Sequence, residues 1–174
     1  MTTIVNLFGG PGIGKSTASA NLYAHLKQKH YSVELVTEYC KMWAYANKPI
    51  GTYDQLYVEA KQMYKESQLL GKVDYLVTDS PVYLCAFYAK TYYPPVIKKA
   101  TIEVARAYAE QLKEDGHKQL NFFLKRRDDV PFSESGRFHD QKQSIEIDRL
   151  LKEFLIEENV HIAEITAENL LEIV

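Results

Sequence analysis

The chain has 174 residues, of which 46% are hydrophobic and 25% are charged, and its formal net charge at pH 7 is −2. This length fits one domain with a sizeable core, and the composition is that of an ordinary globular protein. No apolar run approaches the ~20 residues of a membrane span, and a pI of about 6.2 gives no overall attraction to nucleic acid. Because the N-terminus lacks the features of a secretory signal, we expect a cytoplasmic protein in which Cys40 and Cys85 are reduced.

Strands and helices are predicted to alternate along the chain. Short apolar runs predict five strands, at residues 4–8, 33–36, 73–79, 119–125 and 160–165. Helical spacing predicts helices at 15–29, 38–46 and 52–70. The next helix is predicted from 81 to a loop near 92–95, and another from that loop to 114. The last two helices are predicted at 140–157 and 168–173. This order favours a parallel sheet covered by helices on both faces, which is an α/β architecture.

The helix predicted at 52–70 has an apolar face and recognisable ends. Its face carries Leu56, Ala60, Met63, Tyr64 and Ser67 at helical spacing. Thr52 is placed to cap the start of this helix, and Gly71 is placed to stop it.

A glycine-rich stretch joins the first strand to the first helix. Residues 9–17 contain the complete pattern G-x-x-x-x-G-K-[ST], with the strand before it and the amphipathic helix after it. Glycines let consecutive backbone N–H groups point at phosphate oxygens, and the helix start adds a partial positive charge. We therefore predict that the stretch binds ATP, with Lys15 on the β- and γ-phosphates and the Ser16 hydroxyl on Mg²⁺. The predicted nucleotide-binding residues are Gly10, Gly12, Ile13, Gly14, Lys15, Ser16 and Thr17.

The glycine-rich pattern does not identify the reaction, because GTPases, motor ATPases, transporters and kinases all share it. A GTPase is disfavoured, since the stretch Asn47-Lys48-Pro49-Ile50 lacks the aspartate of the guanine-reading pattern Asn-Lys-x-Asp. The residues that follow the other strands must therefore discriminate among the remaining classes.

Two acids follow predicted strands, at the edge of the sheet where ligands of parallel sheets bind. Asp79 ends the third strand, where it would serve Mg²⁺ or the acceptor, or else cap the next helix. Glu38 follows the second strand, where a carboxylate would orient an acceptor hydroxyl, or else lie solvated at a helix start. The sequence leaves open which of the two acids is the base.

Three arginines bracket a polar stretch after the fourth strand, namely Arg126, Arg127 and Arg137. Phosphoryl transfer spreads negative charge over the transferring group, and guanidinium groups stabilise that charge. We predict a lid over about 126–140, in which Arg126 and Arg137 are catalytic and Arg127 contacts the nucleotide. The alternative is a charged surface loop.

Taken together, these motifs resemble those of a known family. The run from Phe8 to Thr17, then Thr37-Glu38-Tyr39, Thr78-Asp79-Ser80-Pro81, Lys125-Arg126-Arg127 and Ser135-Gly136-Arg137 are similar to motifs of the small P-loop kinases. The similar group is of AAA type and is related to nicotinamide-riboside kinases, and more distantly to deoxynucleoside and nucleoside monophosphate kinases. Its phage-type members include kinases for hydroxymethylated pyrimidines in DNA. One departure is Thr78-Asp79-Ser80, where deoxynucleoside kinases usually carry Glu-Arg-Ser.

The resemblance implies both a fold and an activity. The implied fold is a P-loop NTPase three-layer sandwich with a five-stranded parallel sheet and a lid segment, in one domain over 1–174. The implied activity moves the γ-phosphoryl group of ATP, with Mg²⁺, to a hydroxyl or phosphate of a nucleoside, nucleotide or related small molecule. Two alternatives stay open: a kinase for a hydroxymethylated pyrimidine in DNA, which the acidic pI disfavours, and a non-catalytic nucleotide switch or ATPase.

The partners implied by this activity are a nucleoside- or nucleotide-like acceptor and no membrane, with a homodimer left open. Tyrosine and tryptophan rings suit an acceptor base, although they equally suit a core or pocket wall. The candidate stacking rings are Tyr39, Trp43, Tyr83 and Tyr88.

Overall fold

The computed structural model describes residues 1–127, 132 and 139–173, and within them five strands form one parallel sheet. The strands are β1 (Thr3–Phe8), β2 (Val33–Val36), β3 (Tyr75–Thr78), β4 (Lys118–Leu124) and β5 (Ala163–Ile165). The helices are α1 (Lys15–Gln28), α2 (Lys41–Tyr45), α3 (Asp54–Ser67), α4 (Val82–Tyr92), α5 (Pro95–Glu114), α6 (Gln141–Glu157) and α7 (Leu170–Ile173). In this part of the chain, no helix combines the length and the apolar character needed to cross a membrane.

The strand order across the sheet is β2-β3-β1-β4-β5, which places β1 at the centre. Adjacent residues of a strand point to opposite faces of the sheet. Ile4 packs in one apolar cluster with Leu112 of α5, whereas Val5 packs in another cluster with Leu22 of α1. Burial on both faces accounts for the continuous apolar run of β1 and confirms the predicted α/β architecture.

Three strands end side by side at one edge of the sheet. In the register of the ladders, Asn6 of β1 and Val36 of β2 both lie beside Thr78 of β3. The segments that follow these strands therefore start close together, as expected for ligand-binding segments of a parallel sheet. Asp79 and Glu38 belong to two of these segments.

The predicted elements are confirmed in type and order, and several of them are shorter than predicted. The helix predicted at 38–46 is confined to α2, and Glu38 precedes it with its backbone N–H donating to Asp79 Oδ1 (2.9 Å). Thr52 does not cap α3. The N-cap position is Tyr53, and the carboxylate of Asp54 accepts a hydrogen bond from the backbone of the preceding turn.

The buried face of α3 is polar, and the face predicted from apolar spacing is wrong. Tyr64 and Ser67 are exposed. The buried residues of α3 are Gln55, Val58, Glu59, Gln62 and Glu66. Other helices provide hydrogen-bond partners for this face: Gln55 Nε2 donates to the Cys85 carbonyl (2.9 Å), and the Tyr108 hydroxyl donates to Glu66 (3.0 Å). Burial of these polar groups is thereby compensated in part.

Two carboxyl groups of this polar face have raised pKa values. Burial raises the pKa of Glu59 to about 8 and that of Glu66 to about 7, although hydrogen bonds from Tyr108 and Gln62 oppose the shift at Glu66. Both groups therefore bind a proton near neutral pH in the folded protein.

Candidate active site

The phosphate loop lies between β1 and α1. Gly9, Gly12 and Gly14 have φ angles of 142°, 77° and 103°, which glycine adopts without strain. None of the described side chains caps the N-terminus of α1, and its first turn carries no acid. The first backbone N–H groups of α1 can therefore bind an anion, which agrees with the predicted phosphate site.

The side chain of Lys15 folds back over this loop. Its ammonium donates to the carbonyl oxygens of Gly9 (2.5 Å) and Gly10 (3.1 Å). Desolvation by burial lowers the pKa of Lys15, against the attraction of nearby carboxylates. These carboxylates are those of Glu38, Asp79 and Asp148. The site thus holds a cation beside the loop, surrounded by acids that favour its charged form.

Asp79 follows β3 and connects two predicted site residues. Its Oδ2 accepts a hydrogen bond from the Ser16 hydroxyl (2.7 Å), and its Oδ1 accepts one from the backbone of Glu38 (2.9 Å). A hydroxyl beside a carboxylate is the donor set by which a phosphate loop supports Mg²⁺, with nucleotide oxygens and water as the other ligands. No group of three or more His, Cys, Asp or Glu side chains among the described residues could hold a metal alone. The pair of Ser16 and Asp79 therefore fits a Mg²⁺ ion whose remaining ligands come from a nucleotide and water.

Glu38 is a neighbour of Asp79, to which its backbone N–H donates. One of its carboxylate oxygens accepts a hydrogen bond from the thiol of Cys40 (3.2 Å). Burial, followed by the charge of Glu38, raises the pKa of Cys40, so this thiol stays protonated and donates. The carboxylate of Glu38 thus lies at the phosphate loop, hydrogen-bonded by a weak thiol donor and attracted by the charge of Lys15.

Asp148 of α6 is a site residue that the sequence analysis missed. Its Oδ1 accepts from the backbone N–H of Gly10 (2.6 Å), and its Oδ2 accepts from Arg126 Nε (2.7 Å). Arg126 also donates to the carbonyls of Pro11 (3.1 Å) and Ser144 (3.3 Å). Arg126 and Asp148 therefore join the back of the phosphate loop to α6.

Arg127 does not take part in this contact. Arg127 is exposed and pairs with Glu168 (2.7 Å). Arg137 and most of the predicted lid lie outside the described residues.

A cavity of about 700 Å³ opens beside the phosphate loop. Part of its lining is the phosphate loop with Glu38, Asp79 and Ser80. The rest of its lining is Cys40, Lys41, Ala44, Tyr45, Pro49, Ile50, Gln55, Val58, Leu84, Cys85, Tyr88, Tyr92, Tyr93 and His139. The cavity therefore has a charged half and a half that is mainly apolar and aromatic, as small-molecule sites commonly do.

The aromatic half contains three rings in mutual contact. Tyr88 stacks on Tyr92 (centroids 6.2 Å apart) and on His139 (6.0 Å). Of the other ring candidates, Tyr83 lines a separate cavity of about 510 Å³ beside α5, the start of β4 and the turn after α6. Tyr39 and Trp43 pack against Cys40 and Val58, on the outer side of the cavity wall.

The parallel sheet, the glycine loop at the end of β1 and the carboxylate after β3 define a protein of the P-loop NTPase class. A family model described as AAA domain matches residues 4–172, so the chain belongs to this AAA-domain family. No curated protein matches the chain.

Solved structures share this fold at low sequence identity. A crystal structure of NadR protein in complex with NR is 15% identical with a TM-score of 0.75, over 98% of this chain and 50% of that chain. NadR protein in complex with NAD and AMP-PNP is 14% identical with a TM-score of 0.67, over 95% and 46% of the two chains. Deoxyadenosine kinase from M. mycoides, with products dCMP and a flexible dCDP bound, is 14% identical with a TM-score of 0.53, over 95% and 90%. The chain spans about half the length of the NadR chains and shares their fold over nearly all of its own length.

Proposed function

We propose that the protein is an ATP-dependent kinase that phosphorylates a nucleoside, a nucleotide or a related small molecule. The observation that carries the proposal is the single cavity in which Lys15, the Ser16–Asp79 pair and Glu38 face a second, aromatic half. A nucleotide switch or ATPase needs the charged half alone, whereas a kinase also needs room for an acceptor beside the phosphates.

The charged half is suited to a magnesium nucleotide. When bound, ATP supplies the phosphoryl group and Mg²⁺ neutralises the charge that develops on it. Lys15 exchanges its bonds to Gly9 and Gly10 for phosphate oxygens, and Ser16 and Asp79 hold the metal. The amides of Gly12, Ile13, Gly14 and Thr17 complete the predicted cradle.

Glu38 is the better candidate for the base. Each carboxylate oxygen of Asp79 already accepts a hydrogen bond. Asp79 would have to give up one of these two hydrogen bonds in order to bind an acceptor hydroxyl in its place. Glu38 has the weaker thiol contact to Cys40 and faces the same cavity. We infer that Glu38 orients the acceptor hydroxyl within hydrogen-bond reach of its carboxylate, while Asp79 serves the metal.

The three predicted arginines have different proposed roles. Arg126 supports the phosphate loop through Asp148, and a catalytic contact of its guanidinium with the transferring group stays a prediction from the sequence. Arg127, proposed to contact the nucleotide, would exchange its exposed ion pair with Glu168 for that contact. A catalytic Arg137 and a lid over 126–140 stay predictions from the sequence.

The aromatic half supports a planar, polar acceptor. Tyr88, Tyr92 and His139 offer ring faces to a base, and Gln55 and Lys41 add polar groups to the same wall. A nucleoside or nucleotide has this combination of a flat ring with hydroxyl or phosphate groups. A single domain over 1–174, a cytoplasmic location and a homodimer stay predictions.

The test incubates the protein with Mg-[γ-³²P]ATP and separate pools of nucleosides, nucleoside monophosphates and modified DNA. We expect label in the nucleoside or monophosphate pool. Label in modified DNA would support the alternative acceptor, and free phosphate alone in every pool would overturn the kinase proposal in favour of an ATPase.

Two lysine variants, one at the start of α1 and one just after its end, test the role of the phosphate loop. Lys15→Ala should lower transfer by at least about 100-fold, because the charge beside the β- and γ-phosphates is lost. Lys29→Ala removes an exposed lysine just after α1 and should leave transfer unchanged. Equal rates for the two variants would contradict the assigned site.

A further inference from the structure

Rings and lysines cluster on the outer surface of α2 and α3. We call this cluster the ring–lysine surface, and it comprises Tyr39, Trp43, Lys48, Tyr57, Lys61, Tyr64 and Lys65. Tyr57 is its centre: its ring lies 5.6 Å from that of Tyr39 and 6.4 Å from that of Trp43, measured between centroids. The Trp43 and Tyr57 rings are nearly parallel, with 14° between their planes.

Lysine ammonium groups lie over the faces of these rings. Lys48 Nζ is 3.6 Å from the centroid of Trp43. Lys61 Nζ lies 5.5 Å from the ring of Tyr57, and Lys65 Nζ lies 5.6 Å from the ring of Tyr39. Positive charge and aromatic rings are therefore in contact throughout this cluster, and a bound base would displace a lysine from a ring face.

The surface is locally basic, although the whole chain has a net charge of −2. Tyr57, Tyr64 and Lys48 are exposed, and its other members are partly buried. Tyr57 is 46% exposed and Tyr64 is 60% exposed, beside other exposed large side chains of α2 and of the turn before α3. Between residues 41 and 65 the chain has four lysines, and its two acids are Asp54 and Glu59, of which Glu59 is buried. Such a concentration of exposed rings is typical of an interaction site rather than of an ordinary surface.

We propose that the ring–lysine surface binds single-stranded nucleic acid. A single strand presents unpaired bases, whose faces stack on aromatic rings, and phosphates at regular intervals between them, which pair with ammonium groups. A duplex hides its base faces, and an acidic peptide offers charge without a regular series of flat rings. The alternation of rings and lysines therefore matches a single strand better than either.

The ring–lysine surface adjoins residues that line the cavity beside the phosphate loop. Tyr39 and Trp43 pack on the outer side of Cys40 and Val58, whose inner side lines the cavity proposed as the acceptor site. A strand bound here would run across the outside of that wall. The proposal itself does not depend on phosphotransfer, because strand binding is measured without ATP.

Trp43 is the only tryptophan of the chain, so its fluorescence reports directly on this surface. Titration with a twelve-residue oligodeoxythymidylate in low salt should quench the Trp43 emission and raise the anisotropy of a fluorescein label on the oligonucleotide. Binding should weaken with salt, with a log–log slope between about −1.4 and −2.1 for two to three neutralised phosphates. No quenching and no anisotropy change at tens of micromolar protein would overturn the proposal.

Variants separate binding at this surface from binding elsewhere. Lys48→Glu combined with Lys61→Glu should weaken binding by at least about tenfold. The matched control, Lys98→Glu with Lys99→Glu on α5, makes the same charge change and should have less than about a threefold effect. Equal losses in the two double variants would show non-specific attraction and would overturn the assignment to this surface.

Two further variants keep the test independent of folding. Trp43→Phe retains a ring and should retain binding in the anisotropy assay, whereas Trp43→Ala should lose it, with circular dichroism confirming that both are folded. If sedimentation instead shows that the wild-type protein self-associates and that Trp43→Ala abolishes this, the surface is an interface between copies and the proposal is wrong.

Discussion

Replacing Asp148 with asparagine tests the contact that joins the phosphate loop to α6. Asp148 accepts hydrogen bonds from Gly10 N (2.6 Å) and from Arg126 Nε (2.7 Å), and the side chains of Asp148 and Arg126 are only 15% and 19% exposed. Removing one partner of a fully buried pair costs about 3–5 kcal/mol. Because some solvent reaches this pair, we expect the free energy of unfolding to fall by about 2–4 kcal/mol.

The assay is urea denaturation of the wild type, Asp148→Asn, Arg126→Gln and the double variant, with nucleotide binding measured by calorimetry. The double variant should be less destabilised than the sum of the single variants, with a coupling of about 1–3 kcal/mol. Asp148→Asn should also weaken binding of an ATP analogue, because the loop loses its support. Glu153→Gln, which removes an exposed partner of Arg149 on the same helix, should leave the unfolding midpoint unchanged. Additive single effects, or a wild-type midpoint for Asp148→Asn, would refute the assigned role.

Three further outcomes follow from the described contacts. Because burial raises the pKa of Glu59 to about 8 and of Glu66 to about 7, above the unfolded value near 4.5, the folded protein binds more protons between these values. The free energy of unfolding should therefore fall as pH rises from 5 to 8, by up to about 1.4 kcal/mol per pH unit for each group, and Glu59→Gln should reduce that slope in urea titrations. An unchanged slope would contradict burial of a titrating carboxyl. Gly10→Ala should lower the free energy of unfolding by about 1–3 kcal/mol, because its Cβ would meet a backbone oxygen of α6 at 2.6 Å; a wild-type denaturation midpoint would argue against this close approach. Ser16→Ala should raise the Mg²⁺ concentration needed for half-maximal transfer, whereas Ser19→Ala should not, and equal magnesium dependence would remove Ser16 from the metal site.

The positions that sequence reasoning brought together are those whose arrangement is dictated by local pattern or by sheet topology. The phosphate loop follows from one uninterrupted pattern, and its glycines have the left-handed backbone that the pattern requires. Glu38 and Asp79 come together because parallel strands end at a common edge, so two distant positions in the chain become neighbours by topology alone.

Asp148 could not be found in this way. It lies within α6, 138 positions after the glycine whose N–H it binds, and no local pattern distinguishes it from the other acids of that helix. Its partner Arg126 was predicted for catalysis because arginines after the fourth strand suit phosphoryl transfer, while its contact with α6 depends on packing that the sequence does not encode locally.

The error on α3 has a different physical origin. Apolar spacing assumes that the buried face of a helix is the apolar one. In α3 this assumption fails, because Gln55 and Glu66 find hydrogen-bond partners on α4 and α5, so that burying them is tolerated. The tyrosines that would have suited the core lie instead on the outer surface with the lysines.

The lengths of the strands bear on how the protein avoids edge-to-edge aggregation. The outer strands β2 and β5 have four and three residues, and the interior strands β3, β1 and β4 have four, six and seven. Short outer strands present few unpaired backbone groups to which a foreign strand could add. Lengthening β5 with alternating valine and threonine would create such a template, so variants of this kind should precipitate at concentrations at which the natural chain stays dispersed.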